Sequence, residues 1–172
     1  IWIRGNPLDY ERWAREPGLE RWDFAHCLPY FRRLEHRLSG ADAYHGDSGP
    51  QYLTTPDCES PLFEAFFRAV QEAGYPVTQD VNGYQQEGFS GFDRTTYRGR
   101  RWSAARGYYH PVKHRPNLTL TCGAFTTRIL FEGSRAVGVE YRKGRRRFTA
   151  LGGEIICCGG AINSPALLQH SG

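Results

Sequence analysis

The residues with the clearest chemical use are three small ones in a row, Gly159, Gly160 and Ala161. They follow an apolar run, Glu154-Ile155-Ile156-Cys157-Cys158, which reads as a strand of a buried parallel sheet. They precede Asn163-Ser164-Pro165, where Asn163 or Ser164 reads as a helix cap and Pro165 as the first helical residue. A strand that ends in small residues at a helix start lets backbone close on an anionic group. The free N–H groups and the helix dipole there favour phosphate. There is no Walker A sequence and no GxGxxG, so these residues alone do not make a complete nucleotide site.

Other reactive side chains show no catalytic spacing. His26, His36, His45, His110, His114 and His170 are scattered, and each reads as structural. Cys27, Cys58, Cys122, Cys157 and Cys158 form no CxxC pair, so a zinc site is not expected and no metal is assigned. They read as reduced, packed thiols of an intracellular protein. Arg98, Arg100 and Arg101 beside Trp102, and Lys143 with Arg145, Arg146 and Arg147, have the types that bind nucleic acid. The second group falls on a hairpin turn, and the net charge of the 172 residues is only +4, so no nucleic-acid partner is expected.

The elements that must hold these residues are legible in part. Asp9, Tyr10 and Trp13 give a short amphipathic turn; Asp23 caps a helical stretch, and Pro29 restarts it with Tyr30, Phe31 and Leu34 facing inward. A turn at residues 45–50 leads to a short strand, Gln51-Tyr52-Leu53. The clearest helix covers 61–73, with Ser60 as N-cap, Pro61 first, Gly74 at the end and an apolar stripe of Leu62, Phe66, Ala69, Val70 and Ala73. Residues 75–101 have no period, and a loop of that length is expected to be functional or to cover something. From 117 the period becomes two: Leu118, Leu120 and Cys122 read as a strand, followed by a β-meander with turns at Gly133 and Gly144. Forty per cent hydrophobic residues support a folded core, and no apolar run approaches the ~20 residues of a membrane span. The chain has no methionine; Ile1 to Gly5 reads as mid-strand, and Gly172 lies about two turns into the last helix. An internal piece of a longer protein is expected.

Read in order, several landmarks resemble the glucose-methanol-choline (GMC) family of FAD-dependent oxidoreductases, most of all its choline-oxidising branch. They are Ile3-Arg4-Gly5-Asn6-Pro7-Leu8-Asp9-Tyr10, Leu28-Pro29-Tyr30-Phe31, Gly99-Arg100-Arg101-Trp102-Ser103-Ala104, Arg128-Ile129-Leu130-Phe131-Glu132-Gly133 and the final Gly160-Ala161-Ile162-Asn163-Ser164-Pro165. The resemblance implies an α+β fragment of a Rossmann-like, glutathione-reductase-type FAD-binding domain with a helical insertion and a β-meander. It treats 1–172 as a single piece, with 1–115 helix- and loop-rich and 116–172 carrying the meander and the FAD-proximal strand-turn-helix.

The resemblance also implies FAD as cofactor. The family's adenine contact, made through backbone and usually at Val, falls on Thr126, and the close approach to FAD falls on Gly159, Gly160 and Ala161. No catalytic residue is carried over; the family's histidine base lies downstream of this stretch. The implied reaction is hydride transfer from a small alcohol, choline foremost, to the flavin, with the electron acceptor unassigned. Other alcohol or sugar dehydrogenases, oxidases and a hydroxynitrile lyase remain alternatives within the family, and a non-enzymatic basic binding module outside it. The implied location is cytoplasmic or at an inner membrane.

Overall fold

The computed structural model describes residues 1–172 and divides into two compact units, Ile1–Arg115 and Pro116–Gly172. In the first, α1 (Pro7–Trp13) starts where Asn6 accepts a hydrogen bond from the Leu8 N–H and Pro7 takes the first helical position. Its Tyr10 is buried, with the rings of Trp13, Phe24 and Phe31 at 5.3, 5.8 and 5.8 Å. Helix α2 (Phe24–Leu34) is capped by Asp23, whose carboxylate accepts from the His26 N–H. Pro29 does not restart this helix but lies inside it. At the sixth position the missing N–H forfeits only one bond, to the carbonyl of Ala25, and the turns on either side persist. Tyr30 does not face inward as expected; it is 60% exposed, with Arg33 stacked over its ring.

Strand β1 (Glu35–Arg37) leaves α2 directly and pairs in parallel with β2 (Gln51–Leu53), Glu35 opposite Gln51 and Arg37 opposite Leu53. A parallel pair needs a crossover of about a dozen residues, which 38–50 supply. Leu53 is fully buried. Helix α3 (Pro61–Glu72) follows its local signals: Ser60 accepts from the Phe63 N–H, and Gly74 closes the end at φ +79°. Its stripe is less buried than its spacing suggests, because only Val70 is buried while Leu62 and Phe66 stay 79% and 48% exposed. On that face Phe66 meets the Phe89 ring edge-on at 5.7 Å, which leaves most of the stripe uncovered. Residues 75–101 fold back on themselves through a Val77–Phe89 bridge and a small hairpin, β3 (Thr96–Tyr97) with β4 (Arg100–Arg101). A π-helical turn follows at Ala105–Tyr109. Residues 1–5 form no strand.

The second unit is an antiparallel meander in the order β5 (Phe125–Glu132), β6 (Arg135–Lys143), β7 (Arg146–Leu151), followed by α4 (Gly160–Gln169). Gly133 and Gly144 make its turns at φ +60°, a backbone state that L side chains rarely adopt. Three sequence expectations fail here. Leu118, Leu120 and Cys122 form no strand and are exposed, since their alternation finds no ladder to join. Residues 154–158 also form no strand; no other segment of the unit offers the N–H and C=O partners that define one. Finally, α4 begins at Gly160, so Asn163 and Ser164 are not caps and Pro165 sits within the helix. The thiols of Cys122, Cys157 and Cys158 are consequently exposed, not packed.

Candidate functional site

In the second unit, β5, the 155–159 segment and α4 enclose a cleft of about 860 Å³. Thr126 and Gly159, assigned to adenine and to close FAD approach by resemblance, both line it. Gly160 and Ala161 stand just past its lining, exposed, as the first two residues of α4. The Gly159 N–H donates to Ser164 Oγ at 2.9 Å, which tightens the turn into the helix. The next N–H groups, of Gly160, Ala161 and Ile162, precede the first intrahelical bond and have no acceptor within the helix. Gly160 holds φ +86° with open space where a Cβ would be. At Gly159 a Cβ would lie 3.1 Å from the Asn163 Cβ. Small residues are therefore required by the turn and leave the backbone open to a ligand.

On the opposite wall, Thr126 precedes a bulge. Thr126 pairs with Tyr141 and Arg128 with Glu140, which leaves Thr127 as the extra residue. Thr127 Oγ1 donates to the Glu140 carbonyl at 3.1 Å and contacts its carboxylate at 2.9 Å, holding the bulge in place. Cys157, Cys158 and His170 also line the cleft, which sequence spacing alone did not indicate.

The first unit contains a polar cluster that sequence reading missed. The Glu35 carboxylate accepts from Trp2 Nε1 at 2.7 Å and from Arg4 Nη2 at 2.5 Å on one oxygen, and meets His45 Nδ1 at 2.9 Å on the other. His45 Nε2 meets Asp80 at 2.8 Å. Arg37 donates to Asp93 at 2.9 Å and lies 3.7 and 3.9 Å from Asp42 and Asp80. Glu35 and His45 are fully buried. Burial opposes the charged form of His45, but the bonds to Asp80 and Glu35 outweigh it and raise the pKa to about 9. Burial pushes the Glu35 carboxyl up, and the bonds from His45, Trp2 and Arg4 more than reverse this, leaving it below the usual carboxylate range. Asp80 is lowered likewise: burial raises it, and His45, the Asn82 N–H and the charge of Arg37 overcome that.

Asp42, His45 and Asp80 place three ligand-type atoms within 4.8 Å of one another. The positive charge that such a group would seek is supplied by Arg37 and by the His45 proton, so the cluster is an ion-pair network, in which the buried Arg4 Nε has no hydrogen-bond partner. It ties the chain's first residues to β1, the 38–50 crossover and the 80–93 loop. The signal for it was weak because its members share no period. Of the two arginine groups, Arg145, Arg146 and Arg147 are exposed, as a solvated turn predicts. Trp102 instead packs on Tyr52 at 4.8 Å and donates to the Pro50 carbonyl at 2.8 Å. No helix is long and apolar enough to cross a membrane.

Comparison with known proteins gives the family of the chain. The family model for GMC oxidoreductases matches residues 1–172. The chain is 53% identical over 174 residues to an oxygen-dependent choline dehydrogenase of Chromohalobacter salexigens, covering 99% of this chain and 31% of that protein. Among solved structures it resembles pyridoxine 4-oxidase from Mesorbium loti, with TM-score 0.89 and 32% identity over 99% of this chain and 34% of the other. It also resembles an FAD-dependent oxidoreductase from Chaetomium thermophilum, with TM-score 0.77 and 25% identity over 90% of this chain and 29% of the other. The chain thus spans about a third of the length of the proteins it matches. With a family match over every residue and a shared fold, the chain belongs to the GMC oxidoreductases.

Proposed function

We propose that this chain supplies part of the cofactor cradle of an FAD-dependent oxidoreductase that oxidises a small alcohol, with choline as substrate. The family match over all 172 residues carries this reading, together with the fit of the cleft. The fit rests on Thr126 and Gly159, which line the cleft on facing walls, with the open backbone of Gly160 and the free N–H groups at the start of α4 just past its lining. In this role Thr126 would meet the adenine ring, and Gly159, Gly160 and Ala161 would face the cofactor without side chains between. The replacement of the family's usual Val by Thr at 126 preserves a backbone contact while removing apolar packing on the ring.

Bound FAD would supply the hydride acceptor for the alcohol carbon. The residues of this chain bind and orient; none is assigned to move the substrate's proton. Choline is favoured over other alcohols by the match to choline dehydrogenases at 53% identity. The electron acceptor and any membrane association are left to the whole protein.

The test is a chimera in which these 172 residues replace the matching stretch of the Chromohalobacter salexigens relative. Retention of stoichiometric yellow flavin with choline oxidation supports the reading. A folded chimera that purifies colourless refutes the cofactor role, and one that holds flavin but oxidises only other alcohols refutes the choice of substrate.

A further inference from the structure

Little hydrophobic packing sets the position of α4, and so the width of the cleft: of its apolar side chains only Ala166 and Leu167 are half-buried. No residue of the helix is buried, and Ile162 and Leu168 are 81% and 50% exposed. One side chain instead joins the helix end to the sheet. Ser171 Oγ donates to the Leu167 carbonyl at 2.6 Å and accepts from the Ile129 N–H at 2.8 Å. Both partners need it. Leu167 lies in the last turn, where carbonyls have no helical donor. Ile129 is buried on β5, the edge strand of the meander, and its N–H has no ladder partner on that side. No other side-chain hydrogen bond connects α4 or its cap to the sheet. The two elements so joined form facing walls of the cleft, Thr126 and Thr127 on β5 and Asn163, Ala166 and Leu167 on α4.

We propose that Ser171 is a positioning residue for the cofactor cleft: its hydroxyl clamps α4 to β5 and holds the walls at the spacing that grips an adenine nucleotide. The inference rests on the proposed cofactor role of this cleft. It assigns Ser171 no contact with the ligand. Its effect travels through the helix, which is about 15 Å long and fixed at its other end by the turn at Gly159. A helix held at both ends keeps one separation from the strand, whereas one held only at Gly159 pivots.

The test titrates the 172-residue chain with AMP, followed by amide NMR, in the parent sequence and in Ser171→Ala and Ser171→Thr. Thr keeps the hydroxyl and Ala removes it. The expected result is AMP binding in the parent chain with shifts at Thr126 and Gly159, weakened on the order of tenfold in Ser171→Ala, the scale of one lost hydrogen bond. Ser171→Thr should restore affinity to within about twofold, and the Ile129 amide should exchange faster only in the Ala variant. Unchanged AMP affinity in a folded Ser171→Ala chain whose Ile129 amide has lost protection overturns the inference and leaves the cofactor reading standing. Equal loss of affinity in Ser171→Ala and Ser171→Thr also overturns it, because bulk and not the hydroxyl would then matter. A parent chain that shows no AMP shifts in the cleft overturns the clamp as a device for nucleotide binding, while the flavin content of the chimera decides the cofactor reading separately.

Discussion

The buried pair of Glu35 and His45 makes a pH-dependent contribution to the first unit whose sign follows from the two states. Unfolded, His45 titrates near 6.5; folded, it titrates near 9, because Glu35 and Asp80 hold its proton. Unfolding between these values releases a proton, so stability falls as pH rises through that window. The contribution is fully present below about 6.5 and gone above about 9. At 1.36 kcal/mol for each pKa unit, it amounts to on the order of 3 kcal/mol. The positive charge of Arg37 faces the same group and limits the effect. Glu35 and Asp80 act in the opposite sense. Their lowered values add stability above the ordinary carboxylate range, and it is lost as pH falls through the folded values. The first unit is therefore expected to be most stable between about pH 5 and 6.5. The assay is urea unfolding followed by tryptophan fluorescence from pH 4 to 10. All four tryptophans lie in the first unit, at Trp2, Trp13, Trp22 and Trp102, and Trp2 donates directly to Glu35. His45→Gln should flatten the curve between 6.5 and 9 and lower stability at pH 6. A parent curve already flat over that range, or a Gln variant with an unchanged slope, would refute the argument.

Removing the α3 cap by Ser60→Ala should cost about 1 kcal/mol in the same unfolding assay, since the Phe63 N–H loses its acceptor. Gly46→Ala should be far worse and prevent the first unit from folding, as judged by circular dichroism. Its Cβ would collide with the Arg32 carbonyl, which is backbone of α2 and cannot swing aside. A thiol reagent should react fast with Cys122, Cys157 and Cys158 and more slowly with the half-buried Cys27 and Cys58. Adding AMP should then protect Cys157 and Cys158, which line the cleft, while Cys122 keeps its rate, as mass mapping would record.

Much of the fold was legible wherever the cause was local. Asp23, Ser60 with Pro61, and Gly133 and Gly144 each act within a few residues of themselves, and the structure has those caps and turns in place. The meander was legible because alternating residues with tight turns make their own partners. Local readings failed at Pro29 and at the Asn163 or Ser164 cap; the other failures were non-local. The run 154–158 has the composition of a buried strand, but a strand exists only against another backbone, and none lies beside it here. The pattern of α3 predicted a buried stripe, yet burial needs an element on the other side.

The same distinction explains why the two polar features were read so differently. Trp2, Arg4, Glu35, Arg37, His45, Asp80 and Asp93 come from five separate stretches of sequence, and no spacing relates them. Such a network becomes visible only once the crossover between β1 and β2 has brought His45 under Glu35. The cleft was legible from one side only. The small residues at 159–161 point to a close backbone approach by their type alone. Thr126, by contrast, carries no chemical mark, and its assignment came through resemblance. Beside that position the bulge at Thr127 turns the strand at the cleft, and Ser171 bonds the end of the helix to the Ile129 N–H of the same strand. Neither device depends on residue types that stand out in a sequence, because a bulge is a register shift and a clamp is one hydroxyl at the right distance. In the proposed cofactor role, Thr in place of the family's usual Val would be tolerated, since a backbone contact at 126 needs only the course of the backbone.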